Sequence, residues 1–237
     1  MLQSIKLLFG NKLGALDGEI GHVKDFYFDD QNWAVRYVIA DTGTWLPGRQ
    51  VLISPYAFGG LQQAEKVLRV NLTGKQIEHS PAIESHKPVS RQYEEEYHRY
   101  YGWPDYWQGG GIWGMSGFPI LTVPPKTPPG KPASGIDSQH KRADAHLRSA
   151  QAVIGYHIKA SDGIIGHICD FLMDDQNWAI QKLVVKTGNR FTGKEVQMPV
   201  SKVEQISYDD STVFVNLTKE AVEQSSANHP APASAAA

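Results

Sequence analysis

Residues 17–34 read DGEIGHVKDFYFDDQNWA, and residues 162–179 read DGIIGHICDFLMDDQNWA. The second run repeats the first at an offset of 145 (162 − 17), and extending both runs by nine residues gives fifteen identities in 27 positions. The same offset relates the VNLT sequences at 70–73 and 215–218. Chance does not give such a match, so the chain contains a duplicated domain.

The duplication divides the chain into segments. Two copies are too few for an elongated repeat array, so each copy is expected to close on itself or against its twin. We predict a first small domain at 1–82, a connector at 83–150, a second small domain at 151–225 and a disordered tail at 226–237. The tail is assigned from its content of alanine, serine and proline.

The composition argues against several classes of protein. A net charge of −2 and a pI of about 6.5 give no electrostatic basis for binding nucleic acid or an anionic membrane. Cys169 is the only cysteine, so no disulfide can form within the chain and a reducing compartment is expected. No run of about 18 apolar residues is present, and the N-terminal apolar run is too short for a secretory signal. We therefore expect a cytoplasmic protein without membrane insertion.

Short strands dominate the pattern of each copy. The residue types at 33–40 alternate with a period of two, which predicts a strand. Residues 18–21 predict a tight turn that leads into a strand. Further strands are predicted at 23–28, 51–53 and 67–72, with a hairpin loop at 29–32. Thr73 with Gln76 three residues later predicts a capping box that begins a short helix. The fold class predicted is mostly β, with two small antiparallel barrels and short terminal helices.

The connector differs in composition from both copies. Tyrosines recur at helical spacing, which predicts one short helix at about 90–101 with an aromatic stripe. The proline-rich run at 124–130 predicts a stiff, extended linker. Tyrosine and tryptophan dominate the energetic centres of protein interfaces, so the connector aromatics are a candidate interaction surface, and the alternative is that the stripe packs back onto the barrels. The residues of this surface are Tyr93, Tyr97, Tyr100, Tyr101, Trp103, Trp107 and Trp113.

Both copies resemble the PRC-barrel domain. The resemblance rests on the pattern Gly-x-x-Ile-Gly-His-Val/Ile-x-Asp-Phe, an acidic hairpin, a strand that opens with Trp and closes with Thr-Gly, and the VNLT run before a short helix. This domain forms the cytoplasmic part of the photosynthetic reaction centre H subunit and the C-terminal part of the ribosome-maturation factor. The resemblance covers both copies but neither the connector nor the tail. It implies a β-barrel adaptor domain that works by contacting other proteins, without catalytic residues.

The repeated acidic residues do not form a recognisable catalytic or metal motif. The Asp-Asp pair at 29–30, repeated at 174–175, has side chains that suit Ca²⁺, but the Asp-x-Asp-x-Asp-Gly loop with a distal Glu is missing. A solvated hairpin loop is therefore favoured. Asp25 and Asp170 lack a nucleophile or second carboxylate at a fixed spacing, so a hydrogen bond to a turn amide is favoured over a general base.

The other polar residues of the motif give equally little evidence of chemistry. His22 and His167 could form a symmetric metal or pH-sensing pair, but two ligands make a poor metal site. Cys169 has no basic neighbour, which favours an inert thiol. The glycine-rich runs lack the Lys-Ser/Thr of a phosphate loop. We assign no catalytic residue, no cofactor-binding residue and no metal ligand, and we expect no cofactor.

The distribution of identity between the copies predicts how they interact. Identity is concentrated in the hairpin at 17–34 and its repeat, and an isologous contact requires the same patch on both halves. We therefore predict that the barrels pack face to face about an approximate twofold axis within one chain, because each is marginally stable alone. Pairing across two chains, in a homo-oligomer, is the alternative. The candidate contact residues are Trp33, Trp178, His22 and His167.

These observations favour a non-enzymatic interaction or adaptor protein whose partner is another protein. The alternative is a protein that binds or transforms a small molecule in a cleft between the barrels, lined by the connector aromatics. The sequence does not distinguish between these two functions, because both use the same aromatic residues.

Overall fold

The computed structural model describes residues 1–47, 49–62, 66–81, 83–84, 89–121, 147–188 and 193–224. The chain divides into two compact units. The first comprises Met1–Gln151 and Asp174–Ala179, and the second comprises Ala152–Met173 and Ile180–Ala237. The first unit thus contains the first copy, the described part of the connector and the hairpin tip of the second copy. The linker predicted at 124–130 and the tail at 226–237 lie outside the described residues.

The first unit is built around one sheet. The strands of this sheet are β2 (Lys12–Ala15), β3 (Gly18–Asp29), β4 (Ala34–Asp41), β5 (Arg49–Ile53), β6 (Phe58–Gln62), β7 (Val67–Val70), β8 (Ile83–Glu84) and β9 (Leu147–Ser149), and the unit also contains the short strand β1 (Leu2–Ser4) outside it. Its helices are α1 (Ile5–Leu8), α2 (Gly74–Glu78) and α3 (Arg91–Tyr101), with a 3-10 turn at Pro55–Ala57. The strand order is β6-β7-β2-β3-β4-β5-β8, and β9 pairs with β3.

The second unit repeats this arrangement. Helix α4 (Ala150–Val153) precedes strands β10 (His157–Ala160), β11 (Gly163–Asp174), β12 (Ile180–Thr187), β13 (Glu195–Pro199), β14 (Val203–Ser207) and β15 (Thr212–Val215), and α5 (Lys219–Gln224) follows them. The strand order is β13-β12-β11-β10-β15-β14. This order matches β5-β4-β3-β2-β7-β6 of the first unit, so the duplication extends from the sequence to the topology.

The mostly β prediction is confirmed, but the sheets are mixed and not purely antiparallel. The first strand of each copy, β2 or β10, runs parallel to the last strand, β7 or β15, while the other pairs of each copy are antiparallel. The parallel pair arises because the chain returns to its first strand only after passing through all the strands between them. A reading of local hairpins cannot detect such a long-range pairing.

Residues 18–21 belong to β3 and do not form the turn predicted for them. They pair with β2, through Leu13 opposite Gly21 and Ala15 opposite Gly18. A Cβ atom on Gly21 would lie 2.0 Å from the carbonyl oxygen of Asp41, and one on the equivalent Gly166 would lie 2.0 Å from that of Lys186. The glycine of the Ile-Gly-His pattern is therefore required where the end of the neighbouring strand approaches the backbone.

A strand equivalent to β1 lies just before residue 151, where the second domain was predicted to begin. Strand β9 lies 145 residues after β1, so the repeat extends back to residue 147. In the first unit β9 pairs antiparallel with β3, with Tyr27 opposite Ser149. Asp25 strengthens this pairing, because its carboxylate accepts a 2.5 Å hydrogen bond from the Ser149 hydroxyl and a 3.0 Å bond from the Gln151 amide. Strand β9 is thus part of the sheet of the first unit.

The short helices α2 and α5 each begin directly after a capping threonine. Thr73 and Gln76 form the predicted capping box, with Gln76 N–H donating to the Thr73 hydroxyl at 3.2 Å and Thr73 N–H donating to the Gln76 side chain at 2.8 Å. In α5 the hydroxyl of Thr218 accepts from Ala221 N–H at 3.2 Å. A complete capping box would also have a side chain at position 221 that accepts from the Thr218 N–H, and Ala221 has no such acceptor.

Candidate binding site

The connector helix α3 is packed into the first unit. Ser90 caps its N-terminus through a 3.3 Å bond from Tyr93 N–H, and Gly102 ends it in the left-handed conformation. Tyr97 is almost fully buried, packs edge to face on Tyr37 of β4 at 5.8 Å, and donates its hydroxyl to the Leu52 carbonyl. The helix predicted at about 90–101 is therefore present, and its aromatic stripe contacts protein.

The other connector aromatics are held by the same unit to different degrees. Tyr93 donates to the Pro81 carbonyl at 2.8 Å, and Tyr100 donates to the Gln76 carbonyl at 3.0 Å. The ring of Tyr101 stacks on that of Trp103 at 4.3 Å. The buried residues among the seven candidates for the interaction surface are Tyr97, Trp103 and Trp113, and the half-buried ones are Tyr93, Tyr100, Tyr101 and Trp107. Little of the surface of these aromatic side chains is therefore accessible to a partner protein.

A buried carboxylate lies beneath this helix. Glu94 is 0% exposed, and its Oε1 accepts a 2.6 Å hydrogen bond from the Tyr106 hydroxyl. The Tyr37 hydroxyl lies 3.0 Å from the same oxygen, and Nη1 of Arg91 lies 3.0 Å from Oε2. Burial and the Glu94 charge raise the pKa of Tyr37 well above its ordinary value, and they do the same to that of Tyr106. Both phenols therefore stay protonated and act as donors to a carboxylate that is shielded from water.

His98 adjoins this network one helical turn after Glu94. Its Nδ1 lies 2.9 Å from the Pro104 carbonyl, which can only accept, so we assign the hydrogen to Nδ1. Its Nε2 is then an acceptor, and the Tyr37 hydroxyl lies 3.0 Å from it. Burial lowers the pKa of His98 to about 4, so the imidazole is neutral near pH 7. Two acceptors, His98 Nε2 and Glu94 Oε1, therefore compete for one Tyr37 hydrogen.

A second buried ion pair joins the hairpin of the first copy to the connector. Arg36, which is 1% exposed, donates from Nη2 to Asp29 Oδ2 at 3.2 Å and from Nη1 to the Ile112 carbonyl at 2.5 Å. Its guanidinium carbon lies 4.0 Å from the centre of the Tyr106 ring and 4.9 Å from that of Trp113. Strand β4 is buried from Ala34 to Ala40, and connector side chains pack on its Arg36 and Tyr37.

A surface cavity of about 360 Å³ opens beside this ion pair, within the first unit. The groups around it come from the hairpin loop, the start of α3 and the glycine-rich part of the connector. The lining residues are Asp29, Gln31, Asn32, Arg36, Arg91, Tyr106, Trp107, Gly109, Gly110, Gly111 and Ile112. Arg91 stacks over Trp107, with its guanidinium carbon 4.3 Å from the ring centre. The cavity therefore combines two fixed guanidinium groups with aromatic walls.

The repeated Asp-Asp pairs shape the hairpins. Oδ1 of Asp29 accepts from the loop amides of Gln31 at 2.9 Å and Asn32 at 3.2 Å, and Oδ1 of Asp174 accepts from the equivalent amides at the same two distances. Burial by itself raises the pKa of Asp29, but the Asn32 side chain, Arg36 and the loop amides together lower it below its ordinary value. Asp29 is thus a charged turn-forming residue. Among the residues that the structure describes, no three His, Cys, Asp or Glu side chains are grouped as metal ligands.

The four residues proposed for contact between the copies have different environments. Trp33 is half-buried and stacks on Phe28 at 5.7 Å, whereas Trp178 is buried in the first unit, 5.0 Å from the ring of Phe58. Both tryptophans have positive φ angles, 52° and 59°. His22 is exposed, with Nε2 4.0 Å from Glu19, and His167 is half-buried. Pairing of the two copies through these side chains stays a prediction.

The functional candidates that sequence reasoning missed are Arg36, Tyr37, Glu94 and His98. Two signals pointed to them. Arg36 and Tyr37 correspond to Gln181 and Lys182 in the second copy, so these positions of the strand differ sharply in chemistry between the copies. Glu94 and His98 stand at i and i+4, on a helix face next to the tyrosine stripe.

A scan against protein-family models and a search of the curated proteins both find no match for this chain. The described helices include none with the length and apolar character needed to cross a membrane.

Proposed function

We propose that this chain is a non-enzymatic protein that binds another protein through an exposed stretch of its connector. The observation that carries the proposal is the exposure of four large apolar side chains within residues 115–121. Met115 is 92% exposed, Ile120 53%, Phe118 43% and Leu121 39%. Apolar side chains clustered on a surface in this way mark interaction sites.

The segment that bears these side chains is attached to a rigid base. Trp113 is buried, and its indole N–H donates to the Asn177 carbonyl at 2.7 Å. Backbone bonds join Gly111 to Gly114 at 2.7 Å and Trp113 to Ser116 at 3.0 Å. The Ser116 hydroxyl accepts from Phe118 N–H at 3.1 Å. An interface presented on such a base loses less conformational entropy on binding than a free linker would.

We also propose that each copy is a closed barrel of the PRC type. The support is the connection between the outermost strands of each copy, where β8, which pairs with β5, is counted with the connector. In the first copy β5 ends at Ile53 and β6 begins at Phe58, with only the Pro55–Ala57 turn between them. In the second copy β13 and β14 are joined by the Val200–Lys202 turn. Links this short keep the two edges of a sheet close together, as closure requires. Nuclear Overhauser contacts between β5 and β6 would support a barrel, and their absence would indicate an open, curled sheet.

The partner surface is tested by a double variant, Phe118→Ser with Ile120→Ser, in the full-length chain. Matched controls are Leu7→Ser and Ile164→Ser, since these side chains are 79% and 60% exposed elsewhere on the molecule. Immobilised wild-type protein and both controls should retain the same protein from native extract, and the double variant should retain at least about tenfold less of it. Equal retention by the double variant, or no retained protein with the wild type, would rule out this surface.

A further inference from the structure

The cavity beside Arg36 contains fixed cationic groups, and the carboxylates near it are already hydrogen-bonded within the protein. All four acceptor positions of Asp29 are occupied, because its two oxygens accept from Gln31 N–H, Asn32 N–H, the Asn32 side chain and Arg36. The second carboxylate near the cavity, Glu94, is turned to the interior, where Tyr106 and Arg91 contact it. A ligand in the cavity therefore finds both of these carboxylates already engaged by donors of the protein.

One guanidinium N–H, by contrast, has no partner in the described part of the chain. Nε of Arg36 is buried and has no hydrogen-bond partner among the described residues, although the side chain lines the cavity. An unpaired buried guanidinium N–H is costly unless a ligand or water accepts it. Stacking of Arg36 on Tyr106, and of Arg91 on Trp107, holds both planar groups in place. Guanidinium groups held in this way suit the oxygens of carboxylates and phosphates.

We propose that this cavity binds a small organic anion, with its carboxylate or phosphate group at Arg36 and its carbon skeleton against the aromatic wall of Tyr106 and Trp107. The cavity volume of about 360 Å³ lies in the range of small-ligand sites and exceeds the size of a bare inorganic anion. The proposal is independent of the protein partner proposed above.

The repeat supplies an internal comparison for this proposal. At the positions of Arg36 and Tyr37 the second copy has Gln181 and Lys182, and the connector aromatics lie in the first unit. We therefore expect one anion site per chain, although the hairpin sequence that contributes Asp29 and Gln31 occurs twice.

The test compares benzoate with benzamide, which share a ring and differ in the carboxylate, and adds phenyl phosphate as the phosphate probe. Binding to the full-length protein is followed by tryptophan fluorescence, since Trp107 lines the cavity, and by calorimetry. Benzoate or phenyl phosphate should saturate one site, and benzamide should bind at least about tenfold more weakly. Saturation by phenyl phosphate alone would identify a phosphate site, and saturation by benzoate alone a carboxylate site.

Two variants locate the binding at this cavity. Arg36→Gln should abolish binding. Because that variant can also unfold the unit, Gln31→Glu is the second probe: Gln31 is exposed on the cavity wall, and a negative charge there should weaken binding several-fold. Its matched control is Gln176→Glu, at the equivalent exposed position of the second copy, which should leave binding unchanged. Equal affinity for benzoate and benzamide, no binding of either anion up to about 10 mM, or equal effects of the two glutamate variants would overturn the proposal.

Discussion

The hydroxyl of Tyr37 lies 3.0 Å from Oε1 of Glu94, and the two residues are 57 positions apart in the sequence. Tyr37 belongs to the duplicated domain, whereas Glu94 belongs to the connector that is not duplicated. Their contact makes the connector part of the interior of the first unit. The first copy therefore depends on a segment for which the second copy has no sequence equivalent, and the first three predictions below follow from this dependence.

Glu94→Gln should destabilise the protein strongly. The substitution keeps the shape of the side chain but removes the charge that faces Arg91 and replaces one carboxylate oxygen with an amide group that can only donate. We expect a loss of about 2–4 kcal/mol in the free energy of unfolding, because a buried charged group loses its partner. Urea denaturation measures it. Glu96→Gln is the matched control, since Glu96 is exposed two residues later and should change the stability by less than about 0.5 kcal/mol. Equal effects of the two variants would contradict the buried network.

Exchange of residues between the copies should have unequal effects. Arg36→Gln introduces the second-copy residue into the first copy, leaving Asp29 without its buried ion partner and Tyr106 without the stacked guanidinium. A loss of about 3 kcal/mol is expected, near the lower limit for breaking a buried pair. The reverse exchange, Gln181→Arg, places a long polar side chain at an exposed position and should be close to neutral. Thermal denaturation of both variants tests the asymmetry, and a neutral Arg36→Gln would refute it.

His98 should make stability depend on pH between about 6.5 and 4. The pKa of His98 is lowered to about 4 in the folded protein, whereas an unfolded histidine titrates near 6.5. The unfolded chain therefore binds more protons in this window, so the free energy of unfolding falls as the pH is lowered through it and levels off below. The contribution of this residue is about 3 kcal/mol over the window.

The measurement is urea denaturation of the wild type and of His98→Asn at several pH values between 7 and 4. The variant is less stable at pH 7 but should show a shallower decline, since it lacks the titrating group. Parallel curves for the two proteins would show that His98 titrates normally in the folded state.

Gly21→Ala should disrupt the pairing of β3 with β4. The new Cβ would lie 2.0 Å from the Asp41 carbonyl oxygen, and the φ of +123° is unfavourable for alanine. A loss of at least about 2 kcal/mol is expected. Gly110→Ala is the control, because its Cβ would meet no atom of the described residues within 4 Å. If both variants melt at the same temperature, the close approach at Gly21 is not essential.

Local patterns in the sequence predicted a large part of the fold. This part comprises the mostly β class, the strand of period two at 33–40, the hairpin and the capping box of Thr73. These features depend on residues close together in the chain, so a single sequence is enough to predict them. The parallel pairing of β2 with β7 and the entry of β9 into the sheet of the first unit were missed, because both join segments that are distant in sequence.

The sequence by itself determined that this protein contains two related domains, where several of their strands lie, and which helix bears a tyrosine stripe, because periodicity and repetition are properties of neighbouring residues. Only the tertiary structure decided which polar residues are buried. Three consecutive residues are glutamates: Glu94, Glu95 and Glu96. The packing of α3 on β4 buries only Glu94 and places it beside Tyr37. Likewise, nothing in the sequence around Arg36 distinguishes it from other strand residues, and it is the packing of the connector on its strand that buries it. Desolvation depends on what packs above a side chain, and that is fixed by contacts between segments far apart in the chain.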